Sequence, residues 1–307
     1  MAAQLQTPVA LFIFKRPDTT QKVFETIRAV KPVELLLVAD GPRPEREGER
    51  EKCLDTRAVV SQIDWDCKVL RNYSDINLGC GKRVSSGLDW VFEQVDEAII
   101  LEDDCVPDQS FFQFCEELLA LYREDERIFS ISGQNIQLRS PIKDSYYFSR
   151  YPHCWGWATW RRAWQHYDFD MQLWPQAKES RLLDDILLDS GIVNHWTKIF
   201  QAMYEKQIDT WDFQWTFACW LQSSLNIHAG VNLVSNIGFG AEATHTIQDI
   251  TEFSQIARQK INFPLKHPSF LVRNSKADHY TQTTLYYQPL LKRIQSRLKR
   301  LAMAGRN

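Results

Sequence analysis

No stretch of this chain approaches the roughly 18 consecutive apolar residues that a bilayer-spanning helix requires, so no such helix is expected. Met1 to Thr7 lacks a positive segment followed by an apolar one, so no secretory leader is read there. No two cysteines form a CxxC pair. The seven (Cys53, Cys67, Cys80, Cys105, Cys115, Cys154 and Cys219) are scattered and odd in number, which argues against a disulfide framework and against zinc fingers. Charge of one sign is also lacking. A net charge of −3 over 307 residues points away from a nucleic-acid partner. There is no internal repeat and no low-complexity tract. These absences leave a cytoplasmic globular protein. Its 44% hydrophobic content suffices for a sizeable core in one large domain or two smaller ones.

What is present is an alternation of apolar runs and helical periods. Pro8 to Phe14 (PVALFIF) reads as a buried strand, and Thr19 to Val30 as a helix with Val23, Ile27 and Val30 on one face. Glu34 to Asp40 is a second strand ending at Asp40-Gly41. Leu54 to Ile63 can be helical, Cys67 to Asn72 is a third strand, and Gly79 to Val95 has helical spacing. Ala98 to Leu101 is a fourth strand. Ser110 to Tyr122 is a helix with Asp108 as its cap, and Ile128 to Ser132 is another strand. Strands alternating with helices predict an α/β fold with a parallel, doubly wound sheet. Nine of the eleven tryptophans lie between 154 and 220, a subregion built on aromatic packing. Helices are expected over 182–189 and 192–206. The alternating pattern stops near residue 250.

The strand at 98–101 runs directly into Glu102-Asp103-Asp104. Open α/β sheets bind ligands at the carboxyl ends of their strands. Three adjacent carboxyl groups repel one another and recruit a cation. Hard oxygens suit Mg²⁺ or Mn²⁺, ions that commonly bridge to a diphosphate. An acidic strand end in solvent is the plainer alternative for an isolated triplet. Other strand ends carry Lys15-Arg16 and Asp40-Gly41.

The ordered series goes further. Phe14-Lys15-Arg16, Asp40-Gly41, the run EDDCVPDQSFF, Ser132-Gly133-Gln134-Asn135, Gly156-Trp157, Trp211-Asp212 and SNIGFGAEATHT together resemble the GT-A glycosyltransferases. The similarity is to the N-acetylglucosaminyltransferase I-like enzymes and their bacterial relatives, from about residue 8 to 246. The resemblance implies a Rossmann-like, doubly wound mixed sheet with a C-terminal helical extension: a catalytic domain over 1–250 and an extension over 251–307. It implies that Arg16 lies near the donor diphosphate or base and that Asp40 bonds the base, uracil by expectation. Glu102 and Asp103 would face the ribose and sugar. Asp104 would hold the metal, Mn²⁺ or Mg²⁺, as the last acid of a DxD-like motif whose first position here is Glu. Asp212 would be the catalytic base, and Thr244 and His245 would lie in a loop closing over the diphosphate.

The residues themselves qualify these roles. Asp212 sits between aromatic residues, which favours proton acceptance by a carboxylate; Asp209 is its nearest competitor. Trp157, Trp160 and Trp164 follow helical spacing and read mostly as core. Trp155 or Trp157, flanking Gly156, could instead stack on an acceptor sugar. Asn77 to Arg83 only superficially resembles a phosphate loop. It lacks the Gly-Lys-Ser/Thr ending, and Lys82 or Arg83 is the candidate donor contact. Gly238 and Gly240 would let the Thr244–His245 segment move as a lid. Pro289 to Met303 reads as an amphipathic helix with five cations and no acid. It suits either an anionic membrane surface or packing within the protein.

The expected function is metal-dependent, inverting transfer of a sugar from a nucleotide-sugar donor, a UDP-sugar by expectation, to a glycan acceptor. The acceptor could be lipid-linked at the inner face of a membrane. One rival is a sugar-nucleotide nucleotidyltransferase, but FIFKRPDTT has no glycine where that class opens with a Gly-rich signature. Another is a non-catalytic glycan-binding relative, which would need the tryptophans but neither Asp104 nor Asp212.

Overall fold

The computed structural model describes residues 4–137, 142–238 and 256–287. The first half is the expected alternation: β1 (Val9–Ile13), α1 (Pro17–Val30), β2 (Glu34–Ala39), α2 (Glu49–Val59), β3 (Lys68–Tyr73), α3 (Cys80–Gln94) and β4 (Glu97–Glu102). These four strands run parallel in the order β3-β2-β1-β4. Helix α2 begins five residues before the expected segment. The charged stretch ahead of Leu54 is therefore partly its first turn.

The apolar runs are continuous because the sheet is covered on both faces. In β1, Val9, Leu11 and Ile13 enter one core while Ala10 and Phe12 enter the other. Strand β2 divides likewise, with Leu35, Leu37 and Ala39 against Leu36 and Val38, and β4 splits Ile99 and Leu101 from Ala98 and Ile100. Val23, Phe24 and Ile27 of α1 cover the first face, and Val84, Leu88, Val91 and Phe92 of α3 cover the second.

Beyond β4 the sheet becomes mixed. The chain continues through β5 (Cys105–Pro107), α4 (Gln109–Leu121), β6 (Ile128–Ser132), β7 (Tyr146–Ser149) and β8 (Trp157–Trp160). Asp108 caps α4, accepting from the Ser110 backbone N–H at 2.9 Å. Strand β8 lies antiparallel between β4 and β6. This corrects the helical reading of Trp157 and Trp160: they lie on a strand, and only Arg161–Trp164 (α5) is helical. The helices α6 (Trp174–Glu179), α7 (Leu182–Leu187), α8 (Ser190–Tyr204) and α9 (Asp212–Leu221) build an aromatic layer over the second core. Strand β9 (Leu225–Ala229) joins β6 and β7 to complete an eight-stranded sheet. A small ladder pairs β5 with β10 (Val234–Asn236).

The described residues after 255 fold back onto this body. Ile261 and Leu265 enter the first core. The helix Ser275–Thr281 is tied to the end of β7 by Asp278, which accepts from Ser149 Oγ at 2.6 Å. No helix among the described residues is long and apolar enough to cross a membrane. The expected basic helix at 289–303 lies outside the described residues.

Candidate active site

Because β1, β2 and β4 are parallel, their carboxyl ends share one edge of the sheet. Chain continuity then places Phe14-Lys15-Arg16, Asp40-Gly41 and Glu102-Asp103-Asp104 side by side. All of these but Gly41 line a cleft of about 330 Å³ together with Arg43, Asn77, Cys80, Arg83, Trp155 and the segment Asp209 to Asp212. That volume lies within the range of small-molecule sites.

Asp103 and Asp104 are buried. The Asp103 carboxylate accepts from the Phe14 backbone N–H at 3.2 Å and pairs with the Arg16 guanidinium. The same guanidinium reaches Asp104 Oδ2 at 3.0 Å. Burial disfavours the charge on Arg16, but Asp103 and Asp104 outweigh it and hold the group firmly protonated. Burial, with Asp104 and Asp103 nearby, raises the Glu102 carboxyl above its usual range. Burial also raises Asp103, against the opposing pull of Arg16. Six acids (Asp40, Glu102, Asp103, Asp104, Asp209 and Asp212) face four cationic side chains (Lys15, Arg16, Arg43 and Arg83) among the lining residues. The raised Glu102 and Asp103 carboxyls bring the two sets of charge closer to balance than that count suggests.

Asp104 fits a cation bound mainly by substrate. Among the described residues no group of three or more His, Cys, Asp or Glu side chains is arranged to hold a metal ion. Mg²⁺-like ions are, however, commonly held by one or two carboxylates, with water and phosphate oxygens completing the shell. Asp104 lines the cleft, and among the described residues its Oδ2 has the Arg16 guanidinium as its partner. Its Oδ1 has longer contacts at 3.5 Å from Asn236 Nδ2 and Cys105 Sγ.

Asp40 is more committed than its strand-end position suggests. Its carboxylate accepts from the backbone N–H groups of Gly41 and Leu78, each at 2.9 Å, and from Asn77 Nδ2 at 2.9 Å. Burial raises its pKa while the Leu78 and Gly41 N–H groups oppose that rise. It therefore fastens the 77–78 loop as well as lining the cleft. Lys82 is exposed and does not line the cleft. Its neighbour Arg83 does, held on Asn72 Oδ1 at 2.8 Å.

The two tryptophans separate. Trp155 lines the cleft, whereas Trp157 is 1% exposed and stacks on Trp211 at 5.6 Å in the core. Trp157 thus offers no face to a sugar. Gly156, with φ +63°, makes room for Val234 rather than for a ligand: an added Cβ would lie 2.6 Å from Val234 Cγ2. Thr244 and His245 lie outside the described residues.

Asp209 and Asp212 also separate. Asp209 accepts from Cys80 N at 3.0 Å and Gly81 N at 2.8 Å, so both its oxygens cap α3. Asp212 opens α9, lines the cleft, and uses Oδ1 to accept from Thr210 Oγ1 at 2.5 Å. Of the two, Asp212 has the less committed carboxylate. The thiols of Cys80 and Cys154 also line the cleft. Burial first, and the nearby acids second, push both upward, so neither is a ready nucleophile.

Sequence reasoning missed Arg43, Asn77 and Thr210. Arg43 lies 5.8 Å from the Phe14 ring and is held by Glu49, which also pairs with Lys15 at 2.7 Å. The chain matches no protein-family model and no curated protein.

Proposed function

We propose that the protein is an inverting, metal-dependent glycosyltransferase of GT-A type, moving a sugar from a nucleotide-sugar donor to a glycan acceptor. The observation that carries this reading is the meeting of two different acidic devices in one cleft: Glu102-Asp103-Asp104 with Arg16 at the strand ends, and Asp212 from α9. A cation at Asp104 would neutralise charge developing on the departing diphosphate. Arg16 supplies fixed positive charge beside it. Asp40, Asn77 and Arg43 are the polar groups for a base, with Phe14 as a flat neighbour. Asp212 Oδ2 takes the proton of the acceptor hydroxyl. The hydroxyl oxygen bonds to the anomeric carbon as the carbon–oxygen bond to the diphosphate breaks, and that electron pair leaves with the diphosphate. Attack on the face opposite the leaving group inverts the centre. Trp155 is the wall residue suited to a sugar face. We place the donor among UDP-sugars, the acceptor among surface or lipid-linked glycans, and the protein in the cytoplasm at the membrane face, through its basic C-terminal segment.

The test is release of nucleoside diphosphate from a panel of nucleotide sugars, with glycan acceptors and Mn²⁺ or Mg²⁺. The reading expects turnover of one donor class, loss with chelator, and loss in both Asp104→Ala and Asp212→Ala. Formation of nucleotide sugar from sugar phosphate and nucleoside triphosphate would instead establish a nucleotidyltransferase. Glycan binding without turnover, unchanged in both variants, would establish a binding protein.

A further inference from the structure

The carboxylate of Asp212 is not freely rotating at the start of α9. Thr210 Oγ1 donates to its Oδ1 at 2.5 Å, which leaves Oδ2 without a hydrogen-bond partner among the described residues. Thr210 is itself held through its own carbonyl and through both of its chain neighbours. Its carbonyl accepts from Gln214 Nε2 at 3.2 Å, and the next carbonyl, that of Trp211, accepts from the Tyr167 hydroxyl at 3.2 Å. Its predecessor Asp209 is fastened to the first N–H groups of α3 through both carboxylate oxygens. The contact is close enough to require glycine on the α3 side. A Cβ on Gly79 would lie 2.7 Å from Asp209 Oδ2, and one on Gly81 would lie 2.7 Å from the Thr210 carbonyl oxygen.

We propose that Thr210 is a positioning residue that orients the Asp212 carboxylate, and that Asp209 anchors Thr210 to the α3 rim of the cleft. This rests on the transferase reading, in which Asp212 is the base. Holding one oxygen by a hydroxyl directs the other to the acceptor and removes rotations that would otherwise be lost on the way to the transition state. It also ties the base to the same helix that follows β3 and borders the donor region. Donor and base are thereby kept in one frame.

The experiment compares Thr210→Val, which keeps the shape and removes the hydroxyl, with Thr210→Ser, which keeps the hydroxyl. Both are assayed in the full chain by nucleoside diphosphate release with the donor found above, alongside donor KM and Tm. We expect Thr210→Val to lower kcat by at least ~10-fold with donor KM within about twofold of wild type, and Thr210→Ser to recover kcat to within about threefold. Adding Thr210→Val to Asp212→Asn should then have no further effect, because the group it orients has lost its function. Wild-type kcat in Thr210→Val, equal losses in Val and Ser, or a loss confined to donor KM or Tm would overturn the positioning role and leave the transferase intact. Wild-type protein that turns over no nucleotide sugar would overturn the transferase reading and the positioning role together.

Discussion

Gly238 lies directly against the acid assigned to the cation. A Cβ at this position would stand 2.1 Å from Asp104 Oδ2, 2.8 Å from Asp104 Cγ and 2.7 Å from Arg16 Nη1. Its φ lies outside the left-handed region, so alanine is compatible with the backbone and the substitution acts through space alone. Restoring ordinary contact at 3.4 Å moves Oδ2 by about 1.3 Å. The clash falls on the ends of the paired Asp104 and Arg16 side chains at the cleft wall, so the cost to folding is at the low end of overpacking, about 1 kcal/mol. The cost to function is larger, because a displacement of about 1 Å at a reacting centre can cost ~100-fold in rate. We expect Gly238→Ala to fold with a small change in Tm and to lose about two orders of magnitude in turnover, with weakened Mn²⁺ activation. Initial rates over a Mn²⁺ titration, paired with thermal melts, measure both. Wild-type turnover and unchanged Mn²⁺ dependence in Gly238→Ala would refute the placement of Asp104 at the reacting centre.

Arg16→Met should leave the buried Asp103 unpaired and lower stability by about 3 kcal/mol, measurable by urea unfolding; a change under ~0.5 kcal/mol would refute that accounting. Glu49 is held down to about 2, chiefly by its hydrogen bond to Arg43, with burial opposing and Lys15 assisting. Its folded pKa lies below the ordinary value of 4.5, so its stabilisation is present above pH 4.5 and is lost as pH falls towards 2. Glu49→Gln should therefore be less stable than wild type by about 1–3 kcal/mol at neutral pH, with the gap closing in melts taken towards pH 2. On the second face of the sheet, a Cβ on Gly87 would lie 2.6 Å from Phe12 Cε1 and 2.7 Å from Val38 Cγ1. Gly87→Ala should cost about 1–3 kcal/mol by overpacking, and an unchanged Tm would count against the close approach of α3 to the sheet.

The strands β1, β2 and β4 were legible because burial on both faces writes an unbroken apolar run. The acids at 102–104 were legible because they are contiguous and end such a run. Strand β8 was misread for a physical reason. Trp157 and Trp160 are three residues apart, which matches a helix stripe, yet on a strand that spacing sends them to opposite faces. Trp157 enters the second core and Trp160 the first. Strands of three to five residues such as β5, β7, β9 and β10 carry too few positions to show a period. The capping role of Asp209, the competitor of Asp212, could not be read in sequence, since it is decided by Cys80 and Gly81, about 130 residues away. Arg43, Asn77 and Thr210 reach the cleft on loops and segment ends, where no periodicity marks a direction. Glu49, in the charged stretch ahead of Leu54, is buried where Lys15 and Arg43 converge on it.

In the proposed function Asp104 gathers a cation and a nucleotide-sugar diphosphate. Melting the full chain with a nucleotide-sugar panel, with and without Mn²⁺, tests it most directly, since a ligand that binds only the folded state must raise Tm. We expect a rise with one donor class, a UDP-sugar, that requires Mn²⁺ and disappears in Asp104→Ala. A rise of equal size without Mn²⁺ and in Asp104→Ala, or none with any nucleotide sugar, would contradict it.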